Sequence, residues 1–154
     1  MISATSVNYS NRRVDLSLFP TLAHSGVPAD MEVSRRPMVI AGPSKAAQGF
    51  LRCFLAEQGE IAGDPSAGTN FFKRITGASI RYPSDVEQLF LIESAKAVDY
   101  WNRTSASSRP ADEQIGRITL VGLEITTQGV SISIDLVTRS GDKTTFLLPV
   151  NWSK

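Results

Sequence analysis

A change in hydrophobic period constrains the fold of this chain more than any other feature. Between about residues 43 and 103 the apolar residues recur every three or four positions, the spacing of helices, and from residue 117 they alternate. The alternating segments 117–126, 130–139 and 143–150 predict three strands, and the short connections "TQG" and "SGD" favour hairpins between them. The sequence therefore predicts an α+β fold in which helices pack on a C-terminal three-stranded antiparallel meander at about residues 117–150.

The middle strand indicates which face of the sheet is dry. One of its faces is apolar and consists of Val130, Ile132, Ile134 and Leu136. We expect this face to pack against the helices and the polar face to meet solvent. The outer strands, one of which carries Phe146 and Leu148, have open edges unless something pairs with them. We therefore expect Phe146 and Leu148 to take part in binding a partner at such an edge.

Three helices are predicted before the sheet, at about residues 43–58, 69–75 and 84–103. Pro43 stands in the first turn of the first helix, and Gly59 stands where its C-terminal cap is expected. Thr69 is placed to cap the second helix. Ser84 followed by Glu87 matches the capping-box pattern that begins a helix.

The third predicted helix is apolar on two sides. The side expected to face the core consists of Val86, Leu89, Phe90, Ala97, Tyr100 and Trp101. Leu91, Ile92 and Ala95 point the other way. A helix that is apolar on both sides is normally buried on both sides, so something must cover the second one. The N-terminal arm or a partner protein could do so, and these three residues are candidates for partner binding.

The sequence predicts that residues 1–36, which are polar and broken by proline and glycine, form an extended arm and that residues 37–154 form one domain. Within the arm Val14, Leu16 and Leu18 alternate with other residues, which is the period of a strand. A single strand is not stable alone in water, so it must lie along its own domain or along a partner. We expect at least partial contact with a partner through these three residues.

Composition excludes several classes of function. The net charge is +1 with acids and bases mixed, which gives no electrostatic footprint for nucleic acid or an anionic membrane. The longest apolar runs are too short to cross a bilayer, and the N-terminus lacks the apolar core of a secretory signal. One cysteine, Cys53, and one histidine, His24, cannot form an internal disulfide or a His/Cys metal cluster. No cofactor is expected, and a reducing compartment such as a cytoplasm fits this cysteine usage.

Three carboxylates, those of Glu57, Glu60 and Asp64, surround a glycine-rich bend between the first two helices. A glycosidase needs two carboxyl groups roughly 5 to 9.5 Å apart, and Glu57 and Glu60 could meet that requirement. The bend has little aromatic surface for a sugar, however, so we interpret the acids as its solvated rim. Glu93, inside the apolar face of the third helix, is expected to pair with an arginine or to reach beyond the core.

The run "VIAGPSKAAQGFLRCFLAEQGEIAGDPSAGTNFF" resembles the signature of the small baseplate wedge protein family of contractile phage tails. That family is shared with type VI secretion machines and phage-tail-like particles, and it is often labelled lysozyme-like. The resemblance covers about residues 37–150. The matching positions are Gly42, Gln48, Leu51, Phe54, Leu55, Gly59, Asp64, Pro65 and Gly68.

The resemblance implies a non-enzymatic structural subunit of a tail baseplate, assembled into the virion in the host cytoplasm. Its implied partners are helices of larger baseplate wedge subunits and, by strand addition at the sheet, the tail sheath or an adjacent tail protein. Several copies, six by expectation, would surround the tail tube. The family's Glu-Pro-Arg triplet is missing here, and Arg103, Arg109 or Arg117 is a candidate to replace its arginine. Two alternatives stay open, a peptidoglycan-cleaving, lysozyme-like glycoside hydrolase using Glu57 and Glu60, and a cytoplasmic regulator.

Overall fold

The computed structural model describes residue 13 and the ranges 15–16, 39–77, 82–104 and 108–151. Within them a two-stranded ribbon precedes three helices, a short 3-10 turn and three strands, which confirms the α+β prediction. The ribbon consists of β1 (Asp15–Leu16) and β2 (Val39–Ile40). The helices are α1 (Pro43–Leu55), α2 (Phe71–Gly77) and α3 (Pro83–Arg103), and the 3-10 turn is Ala111–Glu113. The strands are β3 (Ile115–Ile125), β4 (Gly129–Thr138) and β5 (Lys143–Asn151).

The last three strands form the predicted antiparallel meander, with β4 in the middle. The β3–β4 hairpin closes through the backbone N–H of Thr126, which donates to the carbonyl of Gly129 at 2.8 Å. Register shifts leave Gly116 and Val121 as bulges in β3. All four β4 residues assigned to the dry face are buried. The alternation of apolar residues therefore predicted the orientation of the sheet correctly.

A cluster of phenylalanine rings joins the helices to the sheet. Phe54 of α1 is fully buried, and its ring centroid lies 4.6 Å from that of Phe71 in α2 and 5.5 Å from that of Phe90 in α3. One turn earlier, Phe50 stacks on Phe54 at 5.2 Å and meets Phe146 of β5 at 6.3 Å. Such ring pairs add stabilisation beyond the burial of apolar area. Helical spacing places Phe50 and Phe54 on one face, so α1 lies at the centre of the core.

The first helix ends earlier than the sequence predicted. α1 stops at Leu55 rather than near residue 58, because Ala56 is already extended, with φ −68° and ψ 135°. From there Glu57 forms a parallel β-bridge with Thr69, and this pairing is incompatible with a further helical turn. Gly59, the predicted helix cap, has a φ of 88° inside the bend instead.

The starts of the other two helices give one confirmed cap and one correction. The hydroxyl of Thr69 accepts the backbone N–H of Phe71 at 3.3 Å, as predicted for the start of α2. α3 begins at Pro83, whose fixed φ suits a first helical turn, and no side chain caps it. The predicted capping box of Ser84 and Glu87 is therefore wrong.

α1 and α3 approach each other closely at Gly49. A Cβ atom at this position would lie 2.2 Å from Cζ3 of Trp101. The indole cannot easily move away, because its Nε1 donates to the carbonyl of Glu113 at 2.9 Å. The guanidinium of Arg109 also stacks over the ring, 3.5 Å from its centroid. A glycine inside α1 is thus required by this helix crossing.

We predict that Gly49→Ala lowers the free energy of unfolding by about 1–3 kcal/mol, because the added methyl group overlaps the indole. In a Trp101→Leu background the same substitution should raise stability by about 0.5–1 kcal/mol, because alanine favours helix over glycine. Urea denaturation followed by far-ultraviolet circular dichroism measures both values. An equal loss in the two backgrounds would contradict the close approach.

Candidate partner-binding surfaces and the acidic bend

The outer side of α3 exposes a row of apolar side chains to solvent. Leu91 is 70% exposed and Ile92 52%, and Ala95 is also exposed; these three residues are called the outer row of α3 below. The residues predicted for its opposite side are buried or half-buried, which confirms the two-sided character of the helix. The described part of the N-terminal arm bonds to α1 and pairs with β2. That a partner covers the outer row stays a prediction.

Glu93 lies inside the apolar face of α3 and is completely buried. Its Oε2 accepts the backbone N–H of Asn70 at 3.0 Å, and its Oε1 lies 2.8 Å from Nζ of Lys96. Asn70 directly precedes α2, where backbone N–H groups lack helical acceptors and favour a negative charge. The expected pairing with an arginine is therefore wrong, because a lysine and a helix start serve as partners. Glu93 fixes the start of α2 onto α3.

The bend between α1 and α2 is closed by its own hydrogen bonds. Thr69 donates its backbone N–H to the carbonyl of Ala56 at 2.8 Å and its hydroxyl to the carbonyl of Phe54 at 2.7 Å. Gly68 has a φ of 89°, and a Cβ atom there would lie 2.4 Å from the carbonyl oxygen of Glu57. The bend is thus a tight joint between two helices, as the sequence analysis interpreted it.

The carboxylates of Glu60 and Asp64 accept hydrogen bonds from residues of the bend itself. Glu57 and Glu60 are both exposed, and Oε2 of Glu60 accepts the backbone N–H of Glu57 at 3.1 Å. Oδ1 of Asp64 accepts the hydroxyl of Ser66 at 2.6 Å and its N–H at 2.9 Å, and these bonds lower the pKa of Asp64. The general acid of a glycosidase requires the opposite, a pKa raised by a low-dielectric pocket. Two of the three carboxylates therefore shape the bend.

The described sheet leaves the outer edge of β5 open. Gly129 bonds toward β3, and successive residues of an antiparallel strand bond to opposite neighbours, so the even-numbered residues of β4 bond toward β5. Their partners in β5 are also even-numbered, and residues 145, 147 and 149 therefore direct their backbone groups away from β4. Pro149 has no N–H to offer, whereas Thr145 and Leu147 keep theirs. An incoming strand could therefore pair with the middle of β5 but not along its whole length.

The structure corrects the expected role of Phe146 and Leu148. Their side chains are only 2% and 4% exposed, so they are core residues and cannot contact a partner. They pair with Ile134 and Ile132 of β4, and the pleat directs all four side chains to the dry face. At this edge, the groups that can contact a partner are the outward backbone groups of Thr145 and Leu147.

The described part of the arm lies along its own domain. β1 pairs antiparallel with β2, and the side chain of Leu16 is 56% exposed. Val14 and Leu18 lie outside the described residues. Gln48 of α1, which is 1% exposed, donates from Nε2 to the carbonyl of Leu16 at 2.9 Å. The sequence analysis matched Gln48 to a family signature but missed this contact, although an amide among the apolar residues of a helix was a usable signal.

A second buried carboxylate, missed by the sequence analysis, holds the start of α1. Glu113 is 2% exposed, and its Oε1 accepts the backbone N–H of Gly42 at 3.2 Å. Its Oε2 lies 2.9 Å from Nζ of Lys45. Glu113 follows a polar segment without periodicity, so nothing in the sequence marked it as buried.

The three arginines considered as replacements for the missing triplet have different surroundings. Arg109 stacks on the ring of Trp101 and donates to the backbone carbonyl of Trp101, so its guanidinium contacts its own domain. Arg103 lies 3.8 Å from Asp99 on the exposed surface of α3. Arg117 is exposed on β3. A partner contact for Arg103 or Arg117 stays a prediction.

The described residues contain few groups suited to other chemistry. None of the described helices combines the length and the apolar character needed to cross a membrane. Within the described ranges no three His, Cys, Asp or Glu side chains are grouped to hold a metal ion. Cys53 is a buried free thiol, and burial raises its pKa to about 11, which disfavours the reactive thiolate.

Asp135 joins β4 to β5 on the solvent face of the sheet. Its Oδ2 lies 2.6 Å from Nζ of Lys143, and its Oδ1 accepts the hydroxyl of Thr145 at 2.6 Å. Burial acts to raise the pKa of Asp135, but the contacts with Lys143 and Thr145 outweigh it and hold the pKa below the usual aspartate value. The ionised carboxylate therefore stabilises the strand that carries the open edge.

Comparison with known proteins identifies a structure with the same fold. A candidate tail lysozyme from Geobacter sulfurreducens is similar to this chain with a TM-score of 0.52, over 76% of this chain and 97% of that chain. The sequence identity is 17%, so the similarity concerns the fold alone. No protein-family model and no curated protein sequence matches the chain.

We predict that Asp135→Asn lowers the free energy of unfolding at pH 7 by about 1 kcal/mol, because it removes a charge-assisted contact. The folded-state pKa lies below the unfolded value of 3.8, so this contribution is present above pH 3.8 and is lost as the pH falls through the folded-state pKa. Urea titrations at pH 7 and at a series of pH values below 3.8 measure the difference. Glu124→Gln, at an exposed position of β3, is the control and should change little. An undiminished cost in acid would contradict the role of charge.

Proposed function

We propose that this chain is a structural, non-enzymatic subunit of a contractile-tail baseplate, built into the virion in the host cytoplasm. The observation that carries the proposal is the outer row of α3, because its three apolar side chains are neighbours on one side of an ordered helix, and contiguous exposed apolar surface marks interaction sites. The fold, which is also that of a candidate tail lysozyme, supports the connection with tails.

We assign the outer row of α3 to helices of larger baseplate wedge subunits. Leu91 and Ala95 are four residues apart, so they form a ridge that fits the groove of another helix. Covering the exposed parts of Leu91 and Ile92 would contribute about 3 kcal/mol to association. This contribution is large enough for a single charge in the row to weaken assembly strongly.

We assign the open edge of β5 to a strand from the tail sheath or an adjacent tail protein. Thr145 and Leu147 offer backbone donors and acceptors there, and Asp135 keeps β5 in place through Lys143. With one helix-binding and one strand-binding surface, the subunit would join two kinds of neighbour, in several copies around the tail tube. Six copies are expected.

The rival function is peptidoglycan cleavage by Glu57 and Glu60. Its support is the name of the structural relative, whose sequence is 17% identical to this chain. Both carboxylates are exposed, and that of Glu60 is bonded to the backbone of the bend. Neither side chain lies in a pocket that excludes water, so we favour the structural function.

We predict that Leu91→Glu leaves the isolated fold intact but prevents incorporation into tail particles. The side chain points into solvent, so the melting temperature should change by no more than about 2–4 °C, whereas a buried charge at an interface is costly. Complementation of a deletion strain, followed by electron microscopy and immunoblotting of purified particles, measures incorporation.

Ala62→Glu is the matched control, because it adds the same charge at an exposed position of the bend. It should assemble normally. Normal assembly of Leu91→Glu would contradict the use of the outer row of α3. Absence of the wild-type protein from purified particles would instead favour a cytoplasmic regulator.

For the rival function we predict that the purified wild-type protein releases no soluble glycan from peptidoglycan. The double variant Glu57→Gln and Glu60→Gln should assemble into infectious tails as efficiently as wild type, because both side chains lie at a solvated rim. Turbidity and reducing-end assays, with an authentic lysozyme as the positive control, measure cleavage. Cleavage by the wild type that is lost in the double variant would revive the glycosidase.

A further inference from the structure

Three polar side chains on one side of α1 hold the arm strand. Lys45, Gln48 and Arg52 are spaced by three and four residues, so they line the same side of the helix. Lys45 donates to the carbonyl of Arg13, and Gln48 donates to the carbonyl of Leu16 at 2.9 Å. Backbone pairing with β2 completes the contact. These side chains and β2 are called the strand groove below.

The groove also recognises one side chain of the strand. Oδ2 of Asp15 lies 3.5 Å from Nε2 of Gln48 and 3.8 Å from Nη1 of Arg52. The other contacts are made with the strand backbone, whose carbonyls any sequence supplies. The groove therefore favours an extended segment that carries an aspartate between the two bonded carbonyls.

One donor of the groove, Lys45, is positioned by a group that does not belong to the strand. The ammonium of Lys45 is fixed by Glu113, which is itself 2% exposed and bonded to the start of α1. A donor that is already held in place loses little conformational entropy when it accepts a strand.

The strand, in contrast, is weakly held by its own chain. β1 has two residues, Leu16 is 56% exposed, and Asp15 and Arg52 are both substantially exposed. A short exposed pairing of this kind contributes little stability. The 22 residues numbered 17–38 separate β1 from β2 in the sequence, enough to span roughly 75 Å when fully extended.

We propose that the strand groove binds residues 13–16 from a second copy of this chain, so that neighbouring copies exchange their arms. In the exchanged state each strand makes the same contacts with a neighbour's groove that it made with its own. The equilibrium between the two states therefore depends on the effective concentration of each strand at the groove, because no new contacts form. A long connection lowers the effective concentration of a chain's own strand. Copies held side by side therefore compete for each other's grooves. The inference does not depend on the tail function, since any assembly that brings two copies together suffices.

Disulfide trapping between two single-cysteine variants tests the exchange. Leu16 and Val39 stand opposite each other in the β1–β2 pairing, so Leu16→Cys in one chain and Val39→Cys in another form a disulfide only if one strand enters the other's groove. The native Cys53 is buried with a pKa of about 11 and should stay reduced. Equal amounts of the two full-length variants are mixed at about 1 mM, the order of the effective concentration that a flexible connection gives a chain's own strand. The mixture is oxidised and examined by non-reducing gels and peptide mass spectrometry.

We expect a covalent dimer joined through positions 16 and 39. A mixture of Leu91→Cys with Val39→Cys measures random collision, because Leu91 is more exposed than Leu16. The 16–39 dimer should exceed that control several-fold. Adding Asp15→Ala to the Leu16→Cys chain should reduce the yield, because it removes the carboxylate that Gln48 and Arg52 contact without altering the groove. A free peptide of residues 11–18 should reduce the yield by competition.

Three results would overturn the exchange. In the first, the double variant Leu16→Cys and Val39→Cys closes a disulfide within one chain while the mixed variants stay at the collision level, so each arm remains in its own groove. In the second, neither experiment gives a 16–39 disulfide, so the groove does not hold this strand. A groove filled by a different tail protein in purified particles, with no 16–39 link between copies, also counts against exchange.

Discussion

The fold depends on α1, a helix that meets a different element on each of its sides. Gly49 allows the indole of α3 to approach, Phe50 reaches the sheet, and Phe54 meets both other helices. Gln48 contacts the arm. Thirteen residues can do this because glycine, aromatic and amide side chains fall at positions that helical geometry separates. With α1 occupied on all these sides, α3 and β5 become the outer elements, and the candidate partner surfaces lie there.

Two buried carboxylates position the helices in the same way. Glu93 accepts a backbone N–H just before α2, and Glu113 accepts one just before α1, and each also pairs with a lysine. Burying a carboxylate is costly unless its lone pairs are satisfied, and here a helix start and a cation satisfy both. These contacts link segments distant in sequence, so they fix the relative placement of elements that apolar packing alone leaves variable.

The sequence predicted what periodicity encodes. Alternation in β4 gave the dry face of the sheet, and the two-sided pattern of α3 correctly left Leu91 and Ile92 outside the core. The sequence did not predict the partner of Glu113, because its polar contact with Gly42 joins residues far apart in the sequence and produces no periodic pattern. The sequence analysis assigned Phe146 to partner binding because it assumed that a strand at the edge of a sheet exposes its side chains. An edge exposes the backbone, whereas the pleat still buries alternate side chains.

The open edge of β5 is also limited in length, and this limit bears on what it can bind. Pro149 removes an outward N–H near one end, and the long charged side chain of Lys143 lies near the other, 59% exposed. Proline and lysine are the residues by which natural sheets discourage indefinite pairing with other edges. Between them Thr145 and Leu147 still present backbone groups. Such an edge disfavours aggregation of identical sheets yet can accept one short strand, which is the property that a subunit needs if it is to add a single neighbour in a defined register.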